Sequence, residues 1–182
     1  MSKLALLALA FVLTSGAARA AQPPTACLIV YGHGRNVGEV PQNQAWDRIN
    51  ARFNALVTAR LRAAGLQAEP LLFKVGETDV QTAIQILTTR AEAQGCSRVV
   101  DTAVFADDNG ALIVRLRVHP LLGRFGPVAK PGPTRIGTPL YTGQSEFDLN
   151  ARTLEHLKLE AMADSMVADY LKQSAAAASP SQ

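Results

Sequence analysis

The alternation of apolar and polar positions is most regular between Arg98 and His119, where the chain reads RVVDTAVFADDNGALIVRLRVH. Asn109-Gly110 divides this stretch into two β-type runs. That dipeptide signals a hairpin, because a tight I′ turn needs φ > 0 at both central residues. With Asn109 and Gly110 as the turn, Asp108 pairs with Ala111, Phe105 lies opposite Val114 and Ala103 opposite Leu116. One face then carries Val99, Ala103, Phe105, Leu112, Val114, Leu116 and Val118, and is assigned to a core beneath helices. The other face carries Arg115, Arg117 and His119 with Thr102 and Val104, and is expected to be at least partly open to solvent. Asp101 falls on the apolar side in this register, so it either sits near the sheet end or the register is off by one.

The rest of the chain supplies elements around that hairpin. Leu28–Tyr31 reads as a buried strand, and Gly32–Gly38 after it as a flexible glycine-rich surface loop. The G-x-G-x-x-x-G spacing, and the stretch with Pro41 before the next helix, do not suit a dinucleotide loop, which runs straight into its helix. Gln44–Ala64 is expected to be a helix with the stripe Trp46, Ile49, Phe53, Leu56, Leu61 and Ala64 toward a core, ended by Gly65 in a left-handed cap. Arg48, Arg52, Arg60 and Arg62 make its other side basic, either a solvated face or a docking face for an acidic partner. Leu66–Val75 is a second strand, confined to an edge by Pro70.

Thr78-Asp79-Val80-Gln81 fits a capping box. It opens a helix to about Glu92 with the stripe Val80, Ile84, Leu87 and Ala91, and Gly95 stops it. Leu140–Leu149 is a last strand, whose Glu146 could meet Arg115 or Arg117. Asn150–Lys172 closes the chain as a helix with Leu154, Leu157, Ala161, Met162, Met166 and Tyr170 on its apolar side. The fold class is therefore α+β (mixed α/β): a four- to five-stranded mixed sheet, helices packed mainly on one face, in the order β-α-β-α-β-β-β-α.

The two ends change the picture of compartment. Lys3 precedes the apolar run Leu4–Leu13, and Ala18-Arg19-Ala20 is an A-x-A cleavage site, so residues 1–20 read as a signal peptide. An uncleaved anchor and a lipoprotein attached at Cys27 are the alternatives. Cys27 lies well past the apolar run, which disfavours the lipoprotein. Residues 21–173 read as a single domain and 174–182 as a disordered tail. The formal charge of +3 falls to about +1 once Lys3 and Arg19 leave with the signal, so bulk charge gives no case for nucleic acid as a partner. No membrane insertion is expected after cleavage, and the protein is read as periplasmic or secreted. Cys27 and Cys96 each precede a predicted strand. An even pair in an oxidising compartment points to a disulfide, which parallel neighbouring strands would bring within bridging range.

From Gly95 to Lys172 the chain has a small residue before Val99-Val100, a D/N-G turn, the L-x-V-x-L-x-V strand Leu112–Val118 and a closing amphipathic helix. In this it resembles the N-terminal α/β domain of TolB and the related LpoB and CsgG-type periplasmic domains, with a looser likeness over Cys27–Glu92. The resemblance implies a periplasmic, non-catalytic adaptor that touches other envelope proteins. The long loop 120–139 is this chain's own feature.

Candidate chemistry is sparse. The histidines are His33, His119 and His156. No G-x-S-x-G or H-E-x-x-H occurs, and the cysteines are taken by the expected bridge. His33 beside Arg35 is the one place where enzymatic chemistry would be sought. No cofactor and no metal is expected. The 120–139 loop is Pro/Gly-rich and free of acidic residues, and it is long for a connection inside a domain, a length often associated with function or disorder. Its Arg124, Phe125, Lys130 and Arg135 are the candidate partner-binding residues. Arg115, Arg117 and His119 on the open sheet face form a second candidate surface. Three readings follow: an exported non-catalytic adaptor or accessory protein contacting an envelope protein, a binding module for a small ligand or peptidoglycan fragment, and, third, an envelope hydrolase. Neither the partner nor the oligomeric state is specified by these residues.

Overall fold

The computed structural model describes residues 26–33, 40–74, 78–123 and 133–178; the predicted leader lies outside them. The elements in order are β1 (Cys27–His33), α1 (Val40–Ala63), β2 (Gln67–Phe73), α2 (Val80–Gln94), β3 (Arg98–Ala106), β4 (Ala111–Leu122), β5 (Arg135–Ile136), β6 (Tyr141–Asp148), α3 (Ala151–Glu155) and α4 (Leu159–Ala178). The strands make one mixed sheet in the order β2-β1-β3-β4-β5, with β6 also on β4. β2, β1 and β3 are parallel, and β4 runs antiparallel to β3, β5 and β6. The expected mixed α+β class holds. The sheet has a sixth strand because β4 continues through Pro120 to Leu122, where the two-residue β5 pairs with it. The irregular stretch expected over 120–139 is shortened accordingly. Pro70 lies in β2, which pairs only with β1, so its missing donor faces outward at a sheet edge.

The chain steps from β1 sideways to β2 and then back across β1 to β3. Right-handed crossovers taken in opposite directions put their helices on opposite faces. Two packing clusters follow. α1 and α4 cover Leu28, Val30, Val100, Val104 and the even-numbered apolar residues of β4, burying Phe53, Val57, Leu61, Ala163 and Val167. α2 presses Leu87 and Ala91 on the other face against Ile29, Leu71, Val99 and Leu121. Cys27 and Cys96 lie in this second cluster, joined by the expected disulfide across 69 residues with Cα atoms 4.4 Å apart.

The hairpin register differs from the expected one by one residue: Val104 faces Val114, Thr102 faces Leu116 and Val100 faces Val118. The connection is four residues, Asp107–Gly110. Gly110 takes φ +80° while Asn109 stays at negative φ. Asp107 makes the difference, because its Oδ1 accepts from the backbone N–H groups of Asn109 (2.9 Å) and Ala111 (2.8 Å). A local aspartate turn thus displaces the Asn-Gly I′ turn. A one-residue slip exchanges the faces of a strand. Thr102 and Val104 therefore lie under the helices, while Val99, Asp101, Ala103 and Phe105 join Arg115, Arg117 and His119 on the opposite face.

Helix α1 is also rotated from its expected stripe. Its most buried line is Asn50, Phe53, Asn54, Val57, Thr58 and Leu61, with Trp46, Ile49 and Leu56 at the margin and Ala64 exposed. Three polar residues on that line have backbone to satisfy. β1 pairs with β3 only as far as His33 and Ala103, so Val104 has no strand partner on that side. The Asn50 amide replaces one, accepting from Val104 N–H at 2.7 Å and donating to Val104 O at 2.8 Å. Asn54 Nδ2 donates to Val30 O and to Thr102 Oγ1, and Thr58 Oγ1 donates back to Asn54 O. Close approach of α1 needs Gly32: a Cβ there would stand 2.7 Å from Leu72 Cδ2 and 2.9 Å from Asn54 Nδ2.

Smaller differences have local causes. β1 includes Gly32 and His33, taking them out of the expected loop. Asp79, not Thr78, caps α2 by accepting from Thr82 N–H, and Ala83 replaces Val80 and Ile84 on the buried stripe. The closing helix is two. Asn150 caps α3, which ends at His156, and α4 runs from Leu159 through Ala178, making helix of residues expected in the tail. The basic side of α1 finds acidic partners within the chain, as Arg52 pairs with Glu160 and Arg60 with Asp164 of α4. These exposed pairs are screened by solvent and align helices more than they stabilise them.

Asn50→Ala would strand both backbone groups of Val104, and chemical denaturation should show a loss of roughly 2–4 kcal/mol. Reducing the Cys27–Cys96 bridge, or replacing both residues by Ser, should cost about 3–5 kcal/mol on the loop-entropy account, read from melts with and without reductant.

Candidate functional site

β1 and β3 lie side by side, but the chain leaves β1 toward one edge of the sheet and leaves β3 toward the other. Such a divergence marks the strand ends where open sheets commonly bind ligands. α2 packs over the far end of this face, around Cys27, Ile29 and Val99. The remaining half is a shelf carrying Tyr31 and His33 from β1, Asp101 and Phe105 from β3, and Arg115 and Arg117 from β4. Pairing places Tyr31, Asp101 and Arg117 in one row across three strands.

Asp101 is 6% exposed, and both carboxylate oxygens are engaged. Oδ1 lies 3.1 Å from His33 Nε2; Oδ2 accepts from Arg117 Nε (2.9 Å) and Nη2 (2.6 Å). Burial alone would raise its pKa. The hydrogen bonds and charges of His33 and Arg117 outweigh burial and hold Asp101 below the ordinary carboxylate range. Tyr31 stacks on His33 with centroids 5.1 Å apart and meets Phe73 at 5.5 Å. Burial, then the Asp101 charge, push its phenol up to about 12, so the hydroxyl stays protonated. Arg115 lies over the Phe105 ring, 5.0 Å from its centroid, and its buried Nε–H has no acceptor among the described residues. Burial and then the charge of Arg117 lower its pKa, yet a guanidinium remains charged at physiological pH.

Of the residues singled out from sequence, His33, Arg115 and Arg117 meet on this shelf. His119 does not. It sits opposite Val99 at the α2-covered end, where its Nδ1–H donates to Gly137 O at 2.9 Å. Arg135 is exposed in β5, and Arg124, Phe125 and Lys130 lie outside the described residues. Glu146 faces Ile113, while Gln144 and Thr142 face Arg115 and Arg117, so the expected cross-strand meeting of Glu146 with an arginine is not realised. Asp101 was not read as a site residue. Its misfit on the apolar side was the available signal, and a shift of one residue sets it opposite Arg117. An aspartate holding a histidine can orient a general base. Here the same carboxylate is shared with Arg117, and the arrangement also fixes a cation on the sheet.

No known family profile matches the sequence, and no curated protein matches it. Among solved structures, a hypothetical protein of Chlamydia trachomatis superposes with a TM-score of 0.39 at 10% identity, over 81% of this chain and 95% of that one. The LpoB C-terminal domain from Salmonella enterica gives 0.27 at 12% identity, over 69% and 85%. The expected resemblance to LpoB is thus present as a loose structural likeness. The likeness to TolB and CsgG-type domains stays an expectation from sequence. No helix among the described residues is long and apolar enough to cross a membrane. The disulfide accords with an extracytoplasmic protein.

Asp101→Asn should cost about 2–3 kcal/mol at neutral pH, the scale of hydrogen bonds to a charged group. Because the folded pKa is depressed, the carboxylate's contribution is complete above its unfolded value near 4 and is lost as pH falls through the lower folded value. The gap in stability between wild type and Asp101→Asn, followed by denaturation from about pH 6 to pH 3, should narrow on acidification.

Proposed function

We propose that the mature protein acts outside the cytoplasm as a non-catalytic adaptor or accessory factor that contacts another cell-envelope protein. The observation that carries this reading is the half-covered sheet face. Among the described residues, two long helices close one side of the sheet, whereas α2 closes only part of the other. The uncovered part carries charged side chains held in place by a buried carboxylate. Preorganised charge on rigid strands suits recognition, since the ordering cost is met during folding rather than on binding. The export signal and the disulfide support the compartment. The 120–139 loop, through Arg124, Phe125, Lys130 and Arg135, is a second contact surface in this reading.

The alternative, a module for a small anionic ligand such as a peptidoglycan fragment, is favoured by the Arg115 guanidinium held over the Phe105 ring on the same strand as Arg117. It would show as a saturable thermal shift with muropeptides.

The adaptor reading is tested by mild crosslinking of the tagged mature protein in its own envelope, followed by affinity capture. Gln144 is exposed on the shelf side of β6, so Gln144→Trp obstructs the surface without touching the ion network. A dominant envelope partner should be captured by wild type and by the exposed α2 variant Gln81→Trp, and lost with Gln144→Trp at unchanged melting temperature. Capture that survives Gln144→Trp undiminished would remove the shelf from the interface. Changing Arg124, Lys130 and Arg135 together to Ser should weaken capture while leaving melting unchanged; undiminished binding would clear the loop of a role.

A further inference from the structure

The two edges of the sheet are unlike. β2 forms one edge, and its Pro70 interrupts the row of outward backbone donors. β6 lies at the other edge, beside β4. Its eight residues, Tyr141–Asp148, include no proline and pair one to one with Ala111–Val118, without a bulge. Leu149 N–H donates to Gly110 O in line with that register, so the odd-numbered residues of β6 bond to β4. The N–H and C=O groups of Thr142, Gln144 and Glu146 therefore point away from the sheet. Among the described residues those groups have no hydrogen-bond partner, and the three side chains are exposed. Such an edge is a template for another strand unless it is defended.

We propose that a second copy of the chain supplies that strand: β6 pairs antiparallel with β6 about a two-fold axis normal to the sheet, giving a dimer with one continuous sheet. The proline in β2 disfavours any pairing that uses that edge, including open-ended growth from β6 to β2. Closed β6–β6 pairing is what remains for two copies. Outward groups belong to even-numbered residues, so even residues must meet even ones, and the axis passes through a residue. The charges of β6, Glu146 and Asp148, lie toward one end. With the axis at Gln144 or Ser145 they meet only Leu140, Thr142 or Gln144 of the other copy, and no like charges are opposed. An axis at Glu146 or Phe147 would set Glu146 against Glu146 or Asp148. The favoured axes also bring Phe147 opposite Tyr141 or Gly143 of the other copy. Phe147 and Tyr141 are both partly buried against the core, and aromatic contacts across strands strengthen pairing. α1 and α4 of both copies then lie on one side and both shelves on the other, which presents the shelf twice in one direction.

The test uses purified mature protein and does not depend on the adaptor reading. Sedimentation across a concentration series should show a reversible monomer–dimer equilibrium. Amide hydrogen exchange followed by NMR should show the N–H groups of Gln144 and Glu146 gaining protection as the dimer fills, whereas those of Gly143 and Ser145, bonded to β4, are protected throughout. Gln144→Pro removes an outward donor and no bond to β4, and should weaken the dimer about tenfold or more. Gln144→Glu keeps the side-chain shape but opposes like charges in either favoured register. It should weaken the dimer severalfold, with recovery in salt that Gln144→Pro does not share. If Gln144→Pro fails to fold, Gln144→Glu decides. A monomer at every concentration, a dimer that folded variants form as tightly as wild type, or a dimer with Gln144 and Glu146 unprotected would overturn the proposal. Purified protein that stays monomeric, with those amides protected only after envelope extract is added, assigns the edge to a strand of another protein and overturns it too.

Discussion

A carboxylate buried in the middle of a sheet must meet cations or give up its charge. Asp101 meets the Arg117 guanidinium from one neighbouring strand and a hydrogen bond with His33 from the other. That meeting is possible in only one alignment of β3 with β1 and β4. The same alignment turns Val100, Thr102 and Val104 toward α1 and α4, where Asn50 and Asn54 satisfy the backbone of β3 and β1. It turns Ala103 and Phe105 toward Arg115. The core on one face and the charged shelf on the other are thus consequences of one register.

The two faces divide the work. Beneath α1 and α4 the sheet is sealed by apolar packing and by Asn50, which acts as a short substitute for a missing strand beside Val104. These contacts tie α1 rigidly to the end of β1, and Gly32 permits the close approach. The disulfide and α2 hold the other end of β1 and β3 together. The shelf lies between these two anchored regions, so its side chains project from strands fixed at both ends. Rigid placement of this kind favours recognition by shape and charge over recognition by a mobile loop.

Much of the architecture was legible in the chain. Helix and strand positions, the edge placement of β2, the stops at Gly65 and Gly95, and the Cys27–Cys96 bridge all follow from periodicity, proline and glycine chemistry, and cysteine position. The open side of β4 with Arg115 and Arg117 was legible too, since alternation within one strand assigns faces without knowledge of its partners. Register was not. Asn109-Gly110 and Asp107 offer competing turns one residue apart, and the choice depends on what each strand meets. Helix α1 was misread by rotation for a related reason. A stripe drawn from apolar residues alone passes over Asn50 and Asn54, whose amides are buried where they bond the backbone of Val104 in β3 and of Val30 in β1.

By itself the sequence determined the class of fold, the order of the main elements and the disulfide, because these rest on local pattern and on chemistry carried by single residues. Tertiary structure alone decided which residues share the shelf, since His33, Asp101, Arg115 and Arg117 come from three strands and meet only through inter-strand alignment. It also decided which charges are satisfied. Arg52 and Arg60, candidates for an outside partner in sequence, are answered by Glu160 and Asp164 within the chain, while the Nε–H of Arg115 finds no acceptor among the described residues. Pairing of this kind depends on distances between segments remote in sequence, and no local pattern contains them.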